Sequence, residues 1–154
     1  MNVGTKDYGE RVFLPEDSYE FEVKGIGNVF EGRYEDKVTE KLPLTLEITH
    51  ENKKHEIPFF VSTTITSGDG TRKSSKLFDV IEKASLLDDL KKTAEYWTGF
   101  GGNPEEVKKK QNSALVEWLK TNLMGKKGKC MLKTTKSKFD NKPYSVVDKI
   151  ARFY

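Results

Sequence analysis

At 154 residues, 35% hydrophobic and 33% charged, the chain is long enough for one domain with a buried core and a heavily charged surface. Its net charge of +3 is too mild to demand a polyanionic partner, and no apolar run approaches the roughly 20 residues needed to cross a bilayer, which excludes a membrane-spanning helix. Cys130 is the only cysteine, which excludes an internal disulfide.

Residues 1–14 predict a flexible arm with little periodicity, in which Val12, Phe13 and Leu14 are the residues suited to dock on the body. The arm has no signal-peptide core. With the single cysteine, this gives the expectation of a reducing, cytoplasmic compartment. Tyr19, Phe21 and Val23 alternate with Glu20, Glu22 and Lys24, the period of a strand with one buried face. Glycine inside such a pattern marks a bend, so 18–34 reads as one long strand bent near Gly25 and Gly27. A charged loop, 35–42, follows. Leu44, Leu46 and Ile48 give a second strand; His55, Ile57, Phe59 and Val61 give a third, with a hairpin turn at Glu51-Asn52-Lys53-Lys54 between them. Pro58 removes a ladder donor from the third strand, which predicts an exposed edge or a bulge.

After the polar stretch 63–75, Ser74 or Ser75 caps a helix with Leu77, Phe78, Ile81 and Ala84 on its apolar face. Ser85 and Asp88 predict a capping-box start to a second helix, with Leu90, Ala94 and Trp97 turned inward. Asn103-Pro104-Glu105-Glu106 opens a third helix with a cap, a proline at the first helical position and an acid at the third. Ala114, Leu115, Trp118, Leu119 and Leu123 continue its stripe, and Gly125 closes it. Cys130-Met131-Leu132 begins a fourth strand and Tyr144-Ser145-Val146-Val147 a fifth, joined by a turn built on Asp140-Asn141 and Pro143.

This order predicts a mainly β protein with a helical insertion, namely a five-stranded OB-fold-like barrel with helices between strands three and four. The expected organisation is the arm over 1–14 and one OB-fold-like domain over 15–154, with the insertion at about 75–124.

Charge is unevenly spread. From Lys120 onward, ten Lys or Arg stand against Asp140 and Asp148, a balance of +8 that leaves −5 for the first 119 residues. The most basic part is a turn carrying Phe139, with Tyr144 beside it.

Four stretches carry a family likeness: Leu14-Pro15-x-x-x-Tyr19 opening strand one, Ser74-Ser75-Lys76-Leu77 opening the helix, Leu123-Met124-Gly125-Lys126 before a basic strand four, and Asn141-Lys142-Pro143-Tyr144 leading toward Ile150. In these the chain resembles phage- and virus-type single-stranded DNA-binding, replication-associated OB-fold proteins, with two extra helices before strand four. The resemblance implies a non-catalytic, largely sequence-independent single-stranded DNA binder in replication or recombination. RNA is open to the same platform, and replication proteins and a second copy of the chain are further partners to expect.

Such a binder needs aromatic platforms beside cations, placed in an OB-fold across strands two and three and between the loops joining strands one–two and four–five. On this chain the one–two loop offers Arg33, Tyr34, Lys37 and Lys41. Strand three offers Phe60, and the four–five loop offers Lys133, Lys136, Lys138, Phe139, Lys142 and Tyr144. Arg72, Lys73 and Lys76 lie on a loop that could extend this path. The alternative is an OB-fold interaction module without nucleic-acid binding, using the helices at 85–124. No enzyme, cofactor or metal site is expected. His50 and His55 flank a turn without further ligands at metal spacing, Cys130 falls on a strand as a small apolar residue, and Gly25-x-Gly27 lacks the helix of a dinucleotide fingerprint.

Overall fold

The alternating apolar residues of 42–61 form the hairpin on which the sheet is built. In the computed structural model, which describes residues 12–34, 36–65, 67–68 and 73–154, strands β3 (Lys37–His50) and β4 (Lys53–Ser62) pair from Lys41↔Ser62 to His50↔Lys53. Their turn is Glu51-Asn52, both with positive φ, 51° and 64°. That is the two-residue geometry whose twist matches the flanking strands. Leu42, Leu44, Leu46 and Ile48 point inward opposite Val61, Phe59, Ile57 and His55.

The predicted first strand runs along the other edge of β3 in two pieces, β1 (Ser18–Ile26) and β2 (Phe30–Tyr34). Phe21 pairs with Ile48 and Val23 with Leu46; after a bulge, Gly25 pairs with Thr45 and Ile26 with Leu44. A second slip at 27–29 brings Phe30 opposite Lys41. Gly27 donates its N–H to the Pro43 carbonyl at 2.9 Å, and a Cβ there would lie 2.6 Å from the Pro43 ring. This is the close approach for which glycine is needed.

Strand β5 (Lys127–Lys136) pairs with β1, and β6 (Pro143–Phe153) pairs with β5. All pairs are antiparallel. The mainly β expectation holds, but in place of five strands there are six, all antiparallel, in one sheet that is not closed. The extra strand comes from the break at 27–29. The opening lies between β4 and β6, which pack together without a ladder and are spanned by α1. β4 thus has the unladdered edge that Pro58 predicts.

Three helices follow β4: α1 (Lys76–Lys83), α2 (Leu87–Trp97) and α3 (Pro104–Leu123). Ser75 caps α1 through its Oγ, accepting from the Phe78 N–H at 3.3 Å. The expected capping box at Ser85 and Asp88 is not formed. The residue before α2 is Leu86, without a side-chain cap bond, and Ser85 instead adopts φ 60°. There Ser85 closes α1: its N–H donates to Glu82 and the Leu86 N–H to Ile81, the paired bonds of a left-handed helix end. Asn103 caps α3 as predicted, with its amide and Glu106 bonded reciprocally at 2.9 Å. Leu77, Ile81, Leu119 and Leu123 join the strand residues in one core. Trp118 is buried and donates its indole N–H to Asp89 at 2.8 Å; Trp97 is half-buried. No helix among the described residues is long and apolar enough to cross a membrane.

Of the expected arm, residues 1–11 lie outside the described part of the chain. Residues 12–14 run beside β6: Leu14 is buried and Phe13 is 56% exposed. The Ser145 N–H donates to the Val12 carbonyl, and Ser145 Oγ both accepts from the Leu14 N–H at 2.8 Å and donates to its carbonyl at 3.0 Å. Ser145→Ala removes both side-chain bonds in a buried position. The expected cost is about 1–3 kcal/mol, read as a lowered urea midpoint with an unchanged slope.

Candidate nucleic-acid interface

The β5–β6 turn holds its shape through short-range polar bonds. Ser137 donates its N–H to the Lys142 carbonyl and Asn141 donates to the Ser137 carbonyl, both at 3.0 Å. Phe139 donates its N–H to Ser137 Oγ, and Lys142 donates to Asp140 Oδ1 at 3.1 Å. That backbone donor is the main reason the Asp140 carboxyl sits below its ordinary pKa. Asn141 takes the left-handed conformation, φ 58°, which an Asx residue tolerates. This framework leaves Phe139 94% exposed between Lys136, Lys138 and Lys142, themselves exposed. Lys133 is partly neutralised by Asp148 at 3.5 Å. Tyr144 is half-buried opposite Thr135.

A second aromatic group lies on the outward face of β2, β3 and β4. Phe60, 47% exposed, meets the ring of Phe30 edge-on, with centroids 5.8 Å apart. Lys41, half-buried, is the register partner of Phe30 and Ser62, and Pro43 that of Phe60. Lys37 is exposed at the start of β3. Arg33 and Tyr34 pair with Val38 and Lys37 through the backbone, but their side chains lie outside what the structure describes, as does Arg72. Phe30, 43% exposed, is the aromatic that sequence reading left inside the bent strand. The slip at 27–29 turns it outward.

The two groups are not brought into one groove by strand pairing. Beyond Ser18↔Met131, β5 continues past the start of β1: Leu132 donates to the Asp17 carbonyl and Thr134 to the Glu16 carboxylate. The β5–β6 turn therefore lies beyond the start of the β1–β2 ribbon, and the β2–β3 turn at its end. The loops expected to flank one site thus attach at opposite ends of the β1–β2 edge. Between them, Glu22, Glu47 and Glu56 stand in one cross-strand row on the outward face. Lys24, Lys54 and Lys127 approach this row at 3.0–4.0 Å. The hydrogen bond from Lys24 is the leading cause of the lowered Glu22 pKa. A phosphate chain laid from one aromatic group to the other would pass these carboxylates.

Elsewhere, His50 and His55 sit on one face in diagonal register, with Tyr19 edge-on to His50 at 5.5 Å. Among the described residues there is no group of three metal-ligating side chains. Burial pushes the Cys130 thiol up to about 12, so the sulfur stays protonated and unreactive at neutral pH. No protein-family model matches the chain, and no curated protein or solved structure matches it.

Proposed function

We propose that this chain is a non-catalytic, largely sequence-independent single-stranded DNA-binding protein whose contact element is the β5–β6 ribbon. The observation that carries this reading is Phe139, 94% exposed at the tip of a turn flanked by lysines. An aromatic ring held out in water beside cations can stack on a base while the cations meet the neighbouring phosphates. The +8 charge from Lys120 onward supplies the field that draws the strand in. A role in replication or recombination rests on the family resemblance. The strand series β4-β3-β1-β5-β6, with its ends packed together across α1, supports an OB-type barrel left open along one seam.

Fluorescence anisotropy with oligo-dT tests the proposal. About three phosphate contacts at the ribbon give a slope near −2 in log K against log salt, so raising salt from about 50 to about 200 mM weakens binding roughly 20-fold. An equally long duplex is expected to bind more weakly at either salt. Duplex binding as tight as oligo-dT binding would rule the proposal out. Absence of any oligonucleotide binding would favour the interaction module, for which Tyr96, 80% exposed on α2, is the outward anchor.

A further inference from the structure

Where β4 and β6 lack a ladder, the seam opens into a cavity of about 550 Å³. That is within the size range of small-molecule sites. One face of α1 lines it with Lys76, Asp79, Val80 and Lys83, residues spaced to share a side of a helix. Phe59 of β4 and Ile150 of β6, both buried, give it apolar walls. Lys73 and Lys149 complete a set of four lysines around it.

The charge of this cavity is unbalanced. Of its two carboxylates, Asp79 already accepts a hydrogen bond from Ser74 Oγ, and Asp148 is paired with Lys133. Among the described residues, none of the four cavity lysines has an ion-pair partner. Lys76 is positioned with its ammonium over the Phe59 ring, 5.7 Å from the centroid, an arrangement that keeps its charge at the wall. Four cations beside apolar walls suit a ligand with a compact anion at one end and a flat or apolar body at the other.

We infer that the seam cavity binds a phosphomonoester of the mononucleotide class, either free or as the phosphorylated end of a strand. The phosphate sits among Lys73, Lys76, Lys83 and Lys149, and the body of the ligand lies against Phe59 and Ile150. This site is separate from Phe139 and does not depend on the ribbon binding DNA.

Isothermal titration of the full chain with dTMP, thymidine and inorganic phosphate tests the assignment. dTMP is expected to bind at least about tenfold more tightly than either fragment, since only it offers both the charge and the body. Lys76→Gln with Lys149→Gln should weaken dTMP binding about tenfold or more. Lys53→Gln with Lys92→Gln, away from the cavity, should not. If the first pair lowers the melting temperature, Lys149→Gln alone, an exposed side chain, gives the same comparison. Binding of dTMP no tighter than of thymidine, or unchanged by the cavity substitutions, overturns the inference. Oligo-dT with and without a 5′-phosphate then separates the two sources. A gain in affinity from the phosphate that the cavity variant loses identifies a strand end; dTMP binding with no such gain identifies a free nucleotide. Phe139→Ala reports on the ribbon alone and is expected to leave dTMP affinity unchanged.

Discussion

Gly128→Ala is expected to cost about 3 kcal/mol or more, the upper end of what overpacking does, and to leave much of the chain unfolded at ordinary temperature. Gly128 lies on β5 directly between Phe21 of β1 and Phe153 of β6. The two rings meet edge-on across it, with centroids 5.5 Å apart. A Cβ at this position would press into the Arg152 carbonyl oxygen and lie 3.0 Å from both the Phe153 Cα and the Phe21 ring. Two of these neighbours are backbone atoms in a ladder, so they cannot swing aside as a side-chain end would. Gly101→Ala is the matched control, because a Cβ there meets nothing within 4 Å. Urea denaturation should show the first variant collapsing to a low midpoint and the second close to the parent. A Gly128→Ala midpoint equal to the parent's would show that the strands shift apart at little cost.

Phe139→Ala is expected to weaken oligo-dT binding roughly 5- to 150-fold, the loss of about 1–3 kcal/mol of stacking on one base. The melting temperature should stay where it is, because a ring 94% exposed contributes almost nothing to the core. Phe139→Tyr should keep most of the affinity, since a phenol stacks as a phenyl does. Anisotropy at several salt concentrations separates this from an electrostatic loss: removing the ring should lower affinity without changing the salt slope. Equal binding by parent and Phe139→Ala would remove the ribbon tip from the site.

The strand alternations were legible because each depends only on neighbours in sequence. Val23, Leu46, Ile57 and Val61 are buried where period two puts them. The caps at Ser75 and Asn103 were legible for the same reason, being bonds across three residues. Ser85 misled because serine followed three residues later by an acid suits a helix start, whereas here it ends the preceding helix. Phe30 already falls on the wet side of the alternation set by Phe21 and Val23, because the two slips against β3 cancel; what the sequence does not reveal is its partner, since Phe60 reaches it only through the pairing of β2 and β4 with β3. The placement of the candidate site was the least legible part. Phe139 announced itself as an aromatic in a basic turn, but where that turn lies relative to the β2–β3 turn depends on how β5 extends beyond β1. The seam cavity was invisible for a similar reason: Lys76, Lys83 and Lys149 come together only when α1 crosses from β4 to β6.

The two slips along β1 and β2 have a bearing on how this protein can change length. Each is one surplus residue set against an unbroken β3, so losing one residue from 27–29 would still leave Phe30 across from Lys41. Losing one from 44–48 would instead invert every later side chain of that strand, since sidedness alternates strictly there. Curvature and sidedness are thus written in different residues. A lineage or an engineer can straighten the ribbon by trimming, without turning the core inside out.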